Sequence, residues 1–140
     1  MKLTGKANKD FVDNYFFKWN SLPNARVDEE LDYTDLFATA DAMITDCVSF
    51  KSEYLFTNKP GLILTRDNVI YQGYKEKITN AWYVENGSDF EKITRFIEDV
   101  VVNENDYLKE KREKIFKENF DVNLGSASKF IYEYIKHEIT

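Results

Sequence analysis

The chain has 140 residues, 43% hydrophobic and 16% aromatic, with a formal net charge of −6. That length suits one domain, and that apolar content excludes a disordered chain. The acidic balance argues against nucleic acid or an anionic membrane surface as the main partner, since both call for basic patches.

Cys47 is the only cysteine, so an internal disulfide and a cysteine metal cluster are both excluded. A reducing compartment is expected. No apolar run approaches the ~20 residues that span a bilayer. Met1–Gly5 lacks the apolar core of a signal peptide. The expectation is a cytoplasmic domain.

In chain order, Asn8–Asn20 predicts a helix, with Phe11, Tyr15, Phe16 and Trp19 on one face. Ala25-Arg26-Val27 is a candidate short strand. Asp32 is placed to cap a short helix through Ala40, with Tyr33, Leu36 and Phe37 inward. Ala42–Thr45 predicts a buried strand, Ser49–Phe56 a helix, and Asn58-Lys59-Pro60 its stop. Gly61–Thr65 predicts a second buried strand. Both strands are continuous apolar runs, as expected where helices cover both faces of a sheet.

Arg66–Gly73 reads as a polar loop and Tyr74–Ile78 as a short helix. Ala81–Val84 predicts a third strand. Ser88 is then the expected cap of a long helix, with Glu91 completing a capping box. Two helices follow, over Asn105–Asn119 and Ser126–Ile139. The alternating charges of Lys109–Lys117 predict a solvated, i to i+4 paired face. The alternation of elements predicts a Rossmann-like α/β fold. Its mainly parallel sheet would have about four strands, helices on both faces and a helical C-terminal tail.

Open α/β sheets bind ligands beyond the carboxyl ends of their strands. Thr45-Asp46 stands there, and Ser49 stands at the start of the next helix. A hydroxyl and unpaired N–H groups at such a point suit a phosphate. A simple helix cap by Asp46 or Ser49 fits the same spacing. Glu53 lies four residues beyond Ser49, on the same helix face, where its carboxylate can accept from ribose hydroxyls. A surface glutamate is the plain alternative. Cys47 is expected to be a small buried filler. Arg66, Asp67 and Tyr71 follow the second strand on the ligand side. His137 is the only histidine, which excludes a His-rich metal site; in the last helix it is expected to do ordinary surface or helix-end chemistry rather than serve a Ser-His-Asp set.

The stretch LPNARVDEELDYTDLFATADAMITDCVSFKSEYLFTNKPGLILTRD resembles the C-terminal half of the CDP-glycerol glycerophosphotransferases, the teichoic-acid-type polymerases and primases. Their pattern is I-T-D-x-x-S-x-x-x-E-Y, then K-P and an apolar strand. The resemblance implies half of a glycosyltransferase-B architecture, binding CDP-glycerol or a similar nucleotide-linked donor. It assigns Thr45, Asp46 and Ser49 to the donor diphosphate, and Glu53, Arg66 and Asp67 to the ribose or polyol. The common form has two adjacent serines where this chain has Val48-Ser49.

The family's N-terminal domain and its His-Pro motif do not appear in this sequence. The expectation is therefore one donor-binding domain over residues 1–140, the C-terminal part of a two-domain enzyme, inactive alone. The full-length protein would meet the inner membrane face peripherally. No metal and no catalytic residue is assigned. Two alternatives remain: a donor domain for UDP- or CDP-sugars, and a non-catalytic interaction module using the Phe11–Trp19 face.

Overall fold

The computed structural model describes residues 8–30, 32–47, 49–66 and 76–139. The chain divides into two compact units, Met1–Thr34 and Asp35–Thr140.

The first unit holds helix α1 (Lys9–Asn20). Asn8 caps it by accepting from the Phe11 N–H at 2.8 Å, which satisfies one of the orphan donors of the first turn. Ser21 closes the helix, its N–H donating to the Phe17 carbonyl. The aromatic face lies open: Phe11, Tyr15 and Trp19 are all exposed. Ala25–Val27 does not form a strand. The Val27 N–H donates to the Asn20 side chain at 2.7 Å rather than to a neighbouring strand.

The second unit is built on a three-stranded parallel sheet, β1 (Met43–Thr45), β2 (Gly61–Thr65) and β3 (Tyr83–Asn86), in that spatial order. The α/β character matches expectation, with three strands among the described residues where about four are expected. Leu62 and Ile63 of the central strand are both buried, and they feed opposite faces. On one face Ile63 joins Tyr54, Leu55, Ile78, Ala81, Trp82 and Ile115. On the other Leu62 joins Tyr83, Phe96 and Val100. A central parallel strand buried on both sides is why its sequence is an unbroken apolar run.

Helix α2 (Thr34–Thr39) precedes the sheet. The Asp32 carboxylate accepts from the Thr34 N–H at 3.0 Å, and Lys59 Nζ donates to the Ala38 carbonyl at 2.7 Å. Both ends of a short helix are thus satisfied by side chains. Helix α3 (Phe50–Glu53) continues as a 3-10 turn, Tyr54–Thr57, which ends at left-handed Asn58 (φ 54°). A Cβ on Gly61 would meet the Trp82 ring at 2.0 Å, so no larger residue fits under that indole.

Helix α4 (Glu76–Thr79) leads to β3, which starts two residues later than the apolar run suggested. Ala81 and Trp82 are buried in the turn before it, so their burial comes from packing and not from strand pairing. Helix α5 (Phe90–Arg95) continues as a π-helical segment, Phe96–Val102. Its cap is Asp89, accepting from the Lys92 N–H at 3.2 Å, and not Ser88. Ser88 instead donates to the Asn86 side chain at 2.6 Å.

Helix α6 (Lys109–Asn119) carries the charged run. Lys114 and Glu118 do pair at i and i+4. Arg112, however, is 1% exposed and ion-paired with Asp106. Its guanidinium also donates to the Asn58 carbonyl at 3.1 Å. Tyr83 donates its hydroxyl to Asp106 at 3.0 Å, and Asn58 Nδ2 donates to Glu113 at 2.9 Å. This network ties α6 to the amino ends of β2 and β3. Helix α7 (Ala127–Glu138) follows, with no buried residue. Among the described residues no helix is long and apolar enough to cross a membrane.

Candidate functional site

The loop between β1 and α3 leaves the sheet at its carboxyl end. Thr45 ends β1, buried, and its hydroxyl accepts from the Cys47 N–H at 2.9 Å. That bond folds the chain sharply and leaves the hydroxyl proton available for a further acceptor. Asp46 is exposed beside it and ion-paired with Arg66, the residue after β2. The first two strands therefore end in one acid–base pair.

Ser49 occupies the position before α3, as expected, but makes no side-chain capping bond. Its backbone is already helical (φ −64°, ψ −39°), and its carbonyl accepts from the Ser52 N–H. The hydroxyl sits 3.2 Å from Cys47 Sγ. Cys47 is thus more than an apolar filler: it is half-buried, and the Ser49 hydroxyl holds its thiol below the ordinary value against the opposing effect of burial. Glu53 is exposed, one helical turn from Ser49. Lys51, between them, is buried, which pulls its ammonium pKa down.

A cavity of about 340 Å³ opens at this end of the sheet, lined by Asp46, Leu64, Thr65, Arg66, Asn86, Gly87 and Ser88. It takes residues from the carboxyl ends of all three strands. The Asn86-Gly87-Ser88 turn was not singled out from sequence. Its signal was an Asn-Gly-Ser turn after a parallel strand, on the ligand side of the topology. The Gly87 N–H donates to the Thr65 carbonyl at 2.9 Å, which fixes the turn against β2. Asn86 Oδ1 accepts from the Ser88 N–H at 2.9 Å.

Of the residues expected to meet a donor, Asp46 and Arg66 come together, and Thr45 and Ser49 frame the same loop. Asp67 and Tyr71 lie outside the described residues. His137 is exposed on α7, beside Glu138, far along the chain from these loops. Among the described residues no three His, Cys, Asp or Glu side chains are grouped to hold a metal ion.

Residues 24–137 match the family described as CDP-glycerol:poly(glycerophosphate) glycerophosphotransferase. The chain belongs to this family. Neither curated proteins nor solved structures gave a match. Glycerophosphotransferase membership carries with it a nucleotide-linked donor as the substrate class.

Proposed function

We propose that this domain binds the CDP-glycerol-type donor of a glycerophosphotransferase at the carboxyl end of its sheet. The support is a coincidence: the family match spans the T-D-x-x-S loop, and Asp46 of that loop lines a cavity fed by all three strands. In this role the Thr45 and Ser49 hydroxyls and the loop N–H groups meet the diphosphate, while Glu53 accepts from the ribose. Asp67 remains assigned to the ribose or polyol on the family pattern alone.

Holding the diphosphate with hydrogen-bond donors stabilises charge on the departing CMP. Transfer further requires an acceptor groove and a base, and we assign neither to this domain. The isolated chain then captures donor without turnover. The acceptor is a growing cell-surface polymer, reached from the cytoplasmic side of the membrane.

The test is an amide NMR titration of the chain with CDP, CDP-glycerol and UDP. An affinity near millimolar, roughly −4 kcal/mol, is within reach of that method. Shifts clustered at Thr45–Glu53, Arg66 and Asn86–Ser88 are expected, larger for CDP-glycerol than for UDP. Ser49→Ala should weaken CDP but not cytidine, and Glu53→Gln should weaken both. Equal shifts for UDP would turn the assignment toward a wider class of nucleotide donors. No shifts with any nucleotide would remove donor binding from this domain.

A further inference from the structure

The family pattern places Asp46 among the diphosphate residues, yet its chemistry does not suit direct contact. An ionised carboxylate has only acceptor oxygens, as a phosphate does, so the two repel and share no proton. What Asp46 does touch is Arg66. The two side chains leave the carboxyl ends of neighbouring parallel strands and line one cavity with Thr65 and Asn86. Arg66 stays 66% exposed in this pair, so its guanidinium is not consumed by the protein. It has five N–H donors, and a single carboxylate engages at most two. The remainder stay available to a phosphate in the cavity that Arg66 lines.

We infer that Arg66 is a phosphate-binding residue of the donor site and that Asp46 is a positioning residue acting through it. Arg66 moves from the ribose or polyol to the diphosphate, and Asp46 leaves direct contact. This assignment presupposes the donor binding proposed above. Asp46 fixes the long arginine side chain over the cavity before the ligand arrives, so less conformational freedom is lost on binding. The pair also sets the local charge near neutral, so the loop N–H groups and Thr45 hydroxyl are not opposed by a bare carboxylate.

The two roles are separated by comparing cytidine, CMP and CDP on the parent chain, Arg66→Gln, Asp46→Asn and the double variant, with amide NMR reporting both affinity and fold. Arg66→Gln should weaken CDP about tenfold and leave cytidine unchanged, the size of one charge-assisted contact. Asp46→Asn should weaken CDP about threefold, again sparing cytidine. The double variant should bind no worse than Arg66→Gln alone, since Asp46 acts only through Arg66. Arg66→Lys should recover part of the loss.

Tighter CDP binding by Asp46→Asn would overturn the positioning role and make Asp46 a mere competitor for the arginine. Unchanged CDP binding by Arg66→Gln, with the parent still binding, would overturn the phosphate role while leaving donor binding intact. A parent chain that binds no nucleotide would overturn the proposed function and this assignment together.

Discussion

At the amino end of the sheet, Arg112 is 1% exposed and pairs with Asp106, itself 14% exposed. At the carboxyl end, Arg66 is 66% exposed and pairs with Asp46, which is 42% exposed. The chemistry of the two pairs is the same, and their surroundings are opposite. Arg112 and Asp106 are met by Tyr83 on β3 and by the Asn58 carbonyl before β2. A buried pair of this kind becomes expensive to break, because its survivor is left charged and dry. The exposed pair is solvated on both sides, so it adds little to stability while leaving Arg66 donors open to a ligand. The sheet is held by a dry pair at one end and carries a wet, accessible pair at the other.

The largest effect that would sharpen this contrast is on Arg112. Arg112→Ala should lower the free energy of urea unfolding by about 3–5 kcal/mol. Arg66→Gln should change it by less than about 0.5 kcal/mol. Similar losses for both would erase the distinction between the ends. Next comes Tyr83→Phe, which removes one hydrogen bond to Asp106 and should cost about 1 kcal/mol. Burial, and then the Asp106 carboxylate, push the Tyr83 phenol well above its ordinary value of 10.0. The folded state thus favours the protonated phenol. Its contribution is complete below pH 10 and is lost as the pH climbs past the unfolded value toward the folded one. Urea unfolding of Tyr83→Phe should show a shallower alkaline decline than the parent. An identical decline would mean that Tyr83 is not the group being titrated.

The smallest effect belongs to the open end. Ser49→Ala should leave stability within about 0.5 kcal/mol of the parent. It should, however, raise the pH at which iodoacetamide alkylates Cys47, because the hydroxyl that favours the thiolate is gone. An unchanged pH profile would show that the Ser49–Cys47 contact is not made in solution.

The difference between the ends also explains what could be read from sequence. The candidate site is local: Thr45, Asp46 and Ser49 sit within five residues, at the end of a strand marked by its apolar run. Its place at the carboxyl end of a parallel strand follows from topology, and that is where such sheets are expected to take a ligand. The amino-end network is not local, since Asn58 and Arg112 are 54 residues apart. Nothing in the Lys109–Lys117 run distinguishes the one buried cation from its solvated neighbours. Burial also misled at β3, where Ala81 and Trp82 look like strand residues but pack from a turn. On α1 the aromatic spacing located the helix correctly while its face stays exposed, because periodicity predicts a stripe and not what covers it. At the start of α5 the cap is Asp89, one residue later than expected, while Ser88 donates its hydroxyl to Asn86.

The indole lodged over Gly61 has a practical consequence. The chain has two tryptophans, and they fall one in each compact unit, Trp19 at 44% exposure and Trp82 at 4%. A dry indole emits at shorter wavelength than a wet one, so the two fluorophores differ in colour as well as in address. With Trp19→Phe, the remaining emission follows the sheet alone, and its red shift on unfolding is an optical record of Trp82 leaving the glycine it rests on.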